Sequence, residues 1–218
     1  MAAARRVERR FRAPPVARRA SGWQAVRIPP GARHEHLLAE IRREFPDFAI
    51  RRKRESPLQL AIALALWLVT FGRQRQYLTR YHTVLFGRLY VPDCWDEMGD
   101  VERYILLRHE RVHLVQRRRM GDVAMAVVYL LPILPLFLAW GRARIEWEAY
   151  VETIRATAET LGLQAARNLE DEIVRRYVGP DYGWMWPFPA AVRRWFRDSI
   201  ADLAAEASSS NPDVIIGS

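Results

Sequence analysis

The sequence predicts a mostly helical α+β fold with one small β-hairpin. Most segments between Gly and Pro breaks carry apolar residues at helical spacing, whereas one segment alternates and is rich in β-branched and aromatic residues. Half of the 218 residues are hydrophobic, which is enough for one sizeable core. We therefore expect a single domain over 31–207, between a basic, disordered arm at 1–30 and a disordered tail at 208–218.

Seven helices are expected, two before the hairpin and five after it, each bounded by Gly, Pro or a capping side chain. In chain order they are about Gly31–Phe45, Leu58–Phe71, Val101–Arg119, Asp122–Trp140, Arg142–Leu161, Leu163–Tyr177 and a last helix that follows the loop Gly179–Pro189 and ends near Ala207.

The predicted hairpin covers Tyr77–Val91. This segment alternates in polarity and is rich in Thr, Tyr, Val, Leu and Phe, as half-buried strands are. Gly87 offers the turn between its two short arms, and Pro92 ends it. It is the one segment that we expect to be extended.

Charge and cysteine content exclude some classes of function. The net charge of +9 would ordinarily suggest nucleic acid or anionic lipid as a partner. The chain has neither a zinc-finger spacing nor an aromatic RNA-binding signature, so we do not expect nucleic acid. Cys94 is the only cysteine, which excludes an intramolecular disulfide and a Cys-based metal cage. Met1–Arg19 lacks the apolar run of a secretory signal, and we expect a location in the cytoplasm or at the cytoplasmic face of a membrane.

One five-residue segment has the pattern of a metal-binding helix: His109-Glu110-Arg111-Val112-His113. Residues four apart lie on one face of a helix, so both imidazoles can reach one zinc ion at about 2.0–2.1 Å. Glu110 lies one step round from His109, where a carboxylate contacts the water on the metal rather than the metal itself. The pattern alone is only a moderate signal, because composition produces it in roughly one chain in a hundred.

A second helix supplies the remaining ligand of such a site. It contains Arg144-Ile145-Glu146-Trp147-Glu148-Ala149-Tyr150, and a buried carboxylate from it would complete a His-His-Glu set with one position open for water.

These residues resemble the gluzincin metallopeptidases and, in size, the small members called minigluzincins. In these families the third ligand is a Glu followed three places on by a small residue, and then commonly by Asp. The match is Glu146 with Ala149, which favours Glu146 over the rival Glu148. Tyr150 stands where Asp is usual, so a carboxylate partner for one of the histidines is missing.

The resemblance covers about Thr79–Tyr150. It implies a zincin-like fold with the hairpin beside the motif helix, one zinc ion held by His109, His113 and Glu146, and a peptide or protein substrate. Glu110 would act as general base. Arg111 departs from the pattern, because the two positions between Glu and the second His are usually uncharged.

Substrate contacts are expected along the hairpin, since a strand edge near the motif helix could align a peptide by strand addition. The exposed edge amides would come from about Thr83 to Phe86, with Thr83 and Leu85 as candidate substrate-binding residues. A further donor to the oxyanion is expected, and the candidates are His82, Tyr150 and Tyr182.

Structural roles compete with these functional ones. The motif histidines could be ordinary helix residues, and either Glu146 or Glu148 could pair with a nearby arginine at helical spacing. His34 and His36 point to different faces of a helix, and a structural role is expected for both. The aromatic residues Tyr182, Trp184, Trp186 and Phe188 could line a cleft, yet packing onto the core is the commoner role.

Two apolar segments suggest contact with a membrane. Val123–Trp140 has no charge over eighteen residues, but a straight span would separate His113 from Glu146, so Pro132 and Pro135 favour a kinked, re-entrant or buried helix. Leu58–Phe71 is too short to span comfortably and suits peripheral attachment to an anionic surface. The alternative function is therefore a non-catalytic, membrane-associated helical protein in which the motif is structural or coincidental.

Overall fold

The structure of the protein, a computed structural model, describes residues 31–69, 72, 76–130, 139–179 and 185–209. Within this part the chain forms two compact units, an N-terminal unit that ends at Ala126 and a C-terminal unit that begins at Val127. The single domain over 31–207 stays a prediction. The arm at 1–30 and the tail from 210 onward lie outside the described residues, whereas residues 208 and 209 end the last helix.

The predicted α+β class is confirmed, because the described chain is mostly helical with one small sheet. The helices are α1 (Arg33–Glu44), α2 (Pro57–Val69), α3 (Tyr77–Arg80), α4 (Asp100–Met120), α5 (Asp122–Leu130), α6 (Trp140–Leu161), α7 (Leu163–Arg167), α8 (Glu170–Val178) and α9 (Pro189–Ser209). The strands are β1 (Ala49–Arg52), β2 (Thr83–Leu85) and β3 (Arg88–Val91), and single 3-10 turns span Lys53–Glu55 and Asp93–Glu97.

The hairpin is present as β2 and β3, but it is shorter than predicted. Thr83 lies opposite Tyr90 and Leu85 opposite Arg88, so a two-residue turn of Phe86 and Gly87 joins the strands. Both turn residues have positive φ, 50° and 74°, as a type I′ turn requires. The predicted extended segment was wrong at its start, because Tyr77–Arg80 forms the helical turn α3.

A third strand, which the sequence did not suggest, completes the sheet. β1 pairs in parallel with β3, giving the strand order β1-β3-β2. β1 has only four residues, two of them arginine, and shows no strand periodicity. Its parallel partner is distant in sequence, so the pairing depends on packing. As a result β3 is central and β2 is an edge strand.

Apolar side chains of α1, α4 and the sheet form the core of the N-terminal unit. Its buried members are Leu37, Ile41, Phe48, Leu89, Val91, Trp95, Leu107 and Leu114. Burying each such side chain stabilises the fold by roughly 1.5–3 kcal/mol. The start of α4 is fixed by Glu102, whose carboxylate accepts the Gly99 backbone N–H at 3.0 Å.

The C-terminal unit packs α6 against α7, α8 and α9 around aromatic rings. Trp147 lies edge-on to both Tyr177 and Trp195, with ring centroids 6.1 and 5.4 Å apart. The single helix predicted over Leu163–Tyr177 was wrong, because a turn at Asn168 and Leu169 separates α7 from α8.

The aromatic loop before α9 is described only in part. Trp186 and Phe188 pack their rings together with centroids 5.1 Å apart, and Trp186 is buried in the core of the C-terminal unit. Tyr182 and Trp184 lie outside the described residues.

None of the helices within the described ranges is both long and apolar enough to cross a membrane. The candidate segment Val123–Trp140 is described as α5 up to Leu130 and again from Ala139, and its middle lies outside those ranges.

Candidate metal centre

The motif lies in the middle of α4, a helix whose apolar side chains form part of the core of the N-terminal unit. Leu107 and Leu114 on the same helix are buried in that core, so the motif residues between them are held on a rigid element. Glu110 and His113 are buried and His109 is half-buried. The predicted helix over Val101–Arg119 is thereby confirmed.

The two motif imidazoles converge on one point. The Nε2 atoms of His109 and His113 lie 3.2 Å apart, with the ring planes inclined by 75°. Two nitrogens that bind one tetrahedral zinc ion at about 2.0–2.1 Å would lie roughly 3.3–3.4 Å apart. The observed separation therefore fits a pair of ligands to one ion.

Gln116 fixes the orientation and tautomer of His113. The Nδ1 of His113 lies 2.9 Å from the Oε1 of Gln116, which is itself buried. Because an amide oxygen only accepts hydrogen bonds, Nδ1 carries the proton and donates it. The lone pair is then on Nε2, the nitrogen that faces His109.

Sequence reasoning missed Gln116. The family pattern places a carboxylate partner for a histidine at position 150, where this chain has Tyr150, yet a polar residue three positions after His113 lies on the same helix face. That spacing was the available signal.

The two candidate carboxylates of α6 differ in exposure. Glu146 is buried in the C-terminal unit, 5% exposed, whereas the side chain of Glu148 is 38% exposed. Glu148 lies 3.9 Å from the guanidinium of Arg144, one helical turn away. Glu148 therefore meets the expectation that one of the two glutamates pairs with a neighbouring arginine. Glu146 is the buried carboxylate, of the kind that metals bind.

Arg111, the charged residue out of pattern in the motif, has a structural role. Its guanidinium contacts Glu44 of α1, with Nη2 to Oε2 at 2.6 Å and Nε to Oε2 at 2.9 Å. The other oxygen of Glu44 accepts from Arg118 at 2.9 Å. Arg111 thus ties α4 to α1, and its charge is directed toward α1.

Tyr150, a candidate donor, lies in the aromatic core of the C-terminal unit. It is 4% exposed, its ring centroid is 5.7 Å from that of Tyr177, and its hydroxyl accepts from Arg176 at 3.4 Å. Packing explains a phenol at this position, since a carboxylate here would be buried among aromatic rings. Its role at the site stays a prediction.

The other candidates for substrate contact lie along β2. This edge strand contacts α4, as the hairpin was expected to do. The side chain of Thr83 faces inward, where its hydroxyl accepts from Lys53 at 2.9 Å, and Leu85 is half-buried. His82 packs edge-on against Trp95 with centroids 6.0 Å apart, in keeping with a structural role.

His34 and His36 have structural contacts, as expected. The Nδ1 of His34 lies 2.6 Å from Asp100 at the start of α4, and that of His36 lies 3.3 Å from Glu40.

Lys53 is a second residue near the motif that sequence reasoning missed. Burial lowers the pKa of its ammonium to about 7, while the attraction of Glu110 raises it. A buried ammonium that senses the motif carboxylate belongs to the surroundings of this site. The available signal was compositional, since it is the only lysine among 34 basic residues.

The motif histidines, the buried Glu110 and the amide of Gln116 thus form an ordered cluster within one helix, and Glu146 is the buried carboxylate of the second helix. Comparison with known proteins adds no assignment: no family model, no curated protein and no solved structure matches this chain.

Proposed function

We propose that this protein is a zinc-dependent hydrolase that cleaves peptide bonds. The observation that carries the proposal is the pair of Nε2 atoms of His109 and His113, 3.2 Å apart, with Gln116 fixing the second ring. Glu146, the buried carboxylate of α6, is the third ligand that we propose. The resemblance to gluzincins in motif and in Glu146 with Ala149 supports the same conclusion.

The chemistry of the three side chains favours one zinc ion. Two imidazoles and one carboxylate form the donor set of many catalytic zinc sites, in which three protein ligands leave one position open. Calcium and magnesium instead prefer sites made of oxygen atoms. When bound, zinc would polarise a substrate carbonyl and lower the pKa of a water molecule.

Glu110 is the general base in this mechanism. It is buried beside His109, and burial keeps bulk water from competing for its carboxylate. It takes the proton of the attacking water and later delivers that proton to the leaving amine. The free edge of β2 holds the substrate main chain in extended form by backbone hydrogen bonds.

Metal content tests the ligands. Purified wild-type protein should carry about one zinc ion per chain, measured by atomic emission, and His113→Ala should lose most of it. His36→Ala is the matched control, because His36 is an exposed histidine whose ring lies beside Glu40 on the same helix. Circular dichroism checks that each variant is folded. Wild-type protein without zinc would sink the proposal.

Peptide cleavage tests the general base. The wild-type protein is incubated with a mixture of peptides of varied sequence, and products are identified by mass spectrometry. Glu110→Gln should retain zinc but lose about 10²–10⁴-fold in rate, because the amide cannot take the proton. Zinc-loaded Glu110→Gln with wild-type cleavage would make the metal structural.

We further infer that α2 binds an anionic membrane surface. This helix has no charged residue, and an apolar stripe along one side is exposed to solvent: Leu58, Leu60, Leu64, Trp67 and Leu68 are 43–57% exposed. Exposed arginines flank the helix, Arg51 and Arg54 before it and Arg80 after it. An apolar face between cationic ends suits a helix that lies in the interface of an anionic bilayer.

Vesicle co-sedimentation tests this second function. Wild-type protein should bind vesicles that contain phosphatidylserine more tightly than vesicles of phosphatidylcholine alone, and added salt should weaken the binding. Leu64→Glu combined with Leu68→Glu should abolish it. Leu161→Glu is the control, since Leu161 is equally exposed, 57%, at the end of α6. Equal binding by control and double variant would contradict the assignment. Vesicle binding by a zinc-free wild type would favour the non-catalytic alternative.

A further inference from the structure

Lys53 is the only lysine in the chain and it is buried, 1% exposed. It follows β1 directly in the first 3-10 turn. Its Nζ donates to the backbone carbonyl of Tyr77 at 3.0 Å and to the hydroxyl of Thr83 at 2.9 Å. The same Nζ lies 3.5 Å from the centroid of the Tyr77 ring.

The arrangement around Nζ calls for an ammonium rather than a guanidinium. A carbonyl, a hydroxyl and a ring face surround one point, which suits a compact charge with three donors. The planar fork of arginine matches two acceptors in one plane and needs more room. This explains why lysine occurs at the one position where the other basic residues of the chain would not fit.

Lys53 begins a partly buried hydrogen-bond chain that ends in α2. Since Thr83 accepts from Lys53, its own hydroxyl proton is available to the Tyr77 oxygen, and the two side chains are hydrogen-bonded. The Tyr77 hydroxyl donates to the Oε1 of Gln59 at 2.6 Å. The chain joins β1, β2 and α2 at the point where the edge strand begins.

Lys53 also interacts with the motif helix. The negative charge of Glu110 favours the protonated form of Lys53 against the effect of burial. The residues of the hydrogen-bond chain and Glu110 all belong to the N-terminal unit, where β2 contacts α4. One buried ammonium therefore holds the first residue of the edge strand, in the unit that also contains the motif helix.

We propose that Lys53 is a positioning residue of the hydrolytic site, which holds the edge strand through its hydrogen bonds to Tyr77 and Thr83. The inference rests on the proposed function. Holding the strand affects how an extended substrate binds, so the effect should appear in KM for peptides long enough to pair with the strand. Two substitutions of the same residue separate the loss of its hydrogen bonds from a change in its size.

Kinetics of Lys53→Met and Lys53→Arg, with Arg51→Met as control on the exposed side of β1, test the proposal. Lys53→Met should raise KM for long peptides about tenfold or more, because the strand loses both hydrogen bonds, and should change kcat less. Lys53→Arg should keep the raised KM, because the bulkier group displaces the strand. Zinc content should stay at the wild-type level. Unchanged kcat and KM per folded, zinc-loaded molecule in Lys53→Met would overturn the proposal.

A spectroscopic measurement keeps the test independent of activity and of the folding of Lys53 variants. Lysine labelled with ¹⁵N gives one side-chain resonance in this protein, because there is one lysine. In the full-length chain, Thr83→Val should move the titration midpoint of that resonance downward by about half a pH unit or more, because the protonated group loses an acceptor, whereas Glu55→Gln should leave it in place. An unmoved midpoint in Thr83→Val overturns the inference. Failure of the proposed function shows differently, as a wild type that holds no zinc.

Discussion

Single side chains decide how the motif histidines are presented. Gln116 holds the Nδ1 proton of His113, so that Nε2 faces His109 with its lone pair. Hydrogen bonds of this kind raise the basicity of a ligating imidazole and fix its ring. The families that the motif resembles place a carboxylate on the second helix beside such a histidine, whereas here an amide on the motif helix itself contacts His113.

Removal of the Gln116 amide should weaken zinc binding. Gln116→Ala is expected to lower zinc affinity by about 10–100-fold, measured by competition with a chelator of known affinity. Gln116→Glu, whose carboxylate also accepts from Nδ1, should match or exceed the wild-type affinity. Equal affinity in wild type and Gln116→Ala would show that the 2.9 Å contact has no part in metal binding.

Lys53 should also make stability depend on pH. Burial lowers its pKa to about 7, whereas an unfolded lysine keeps its proton to near pH 10.5. Between these values the unfolded chain binds more protons, so the free energy of unfolding rises with pH. The rise approaches about 1.4 kcal/mol per pH unit, and Lys53→Met should lack it.

Urea unfolding at pH 7.5, 8.5 and 9.5, at one zinc concentration, measures this rise. Wild type should gain about 2–3 kcal/mol more than Lys53→Met over these two units. Arg51→Met should follow wild type, since Arg51 is exposed. Parallel curves for wild type and Lys53→Met would show that the ammonium remains protonated throughout.

At the scale of elements, the hairpin turn contains a residue whose backbone conformation its side chain disfavours. Phe86 has φ of 50° and is 58% exposed, although a bulky residue in the left-handed region costs roughly 1–2 kcal/mol. Type I′ turns prefer Asn followed by Gly, and this hairpin has Phe followed by Gly. The strain is tolerated because β3 is paired on both sides.

Phe86→Asn should therefore stabilise the protein by about 0.5–1 kcal/mol, because Asn tolerates the left-handed region. For a chain of this length the melting temperature should rise by roughly 1–4 °C, measured by calorimetry. Phe86→Ala removes the same ring without tolerating that region and is the control. Asn no more stable than Ala at this position would contradict the strain argument.

At the scale of the whole molecule, the proposed ligands come from two elements distant in sequence. His109 and His113 lie on α4, and Glu146 lies on α6. A metal that binds only the folded chain stabilises it by mass action, by about 2.7 kcal/mol at a hundred times its dissociation constant. Zinc should then raise the melting temperature of the full chain by roughly 5–10 °C.

Glu146→Gln should lose most of that zinc-induced rise, whereas Glu148→Gln should keep it. The pair is matched, since both residues are glutamates on α6 and Glu148 contacts Arg144 at the surface. The same result should appear by scanning fluorimetry and by zinc competition. If only Glu148→Gln lost the zinc-induced rise in melting temperature, Glu148 rather than Glu146 would be the ligand.

Sequence patterns determined the features that depend on local periodicity. Gly and Pro breaks with apolar spacing gave α4 and α6 nearly to their ends, since a helix depends on neighbours three and four positions away. The same periodicity determined that His109 and His113 share a face. It also determined the hairpin strands, because Gly87 permits the turn.

Only the tertiary structure decided what depends on residues distant in sequence. β1 gains its strand conformation from pairing with β3, and Lys53 gains its lowered pKa from burial beside Tyr77 and Thr83. Arg111 departs from the motif pattern, and its charge is compensated by Glu44 of α1. Pairing, burial and charge compensation are properties of packed neighbours, and no local pattern encodes them.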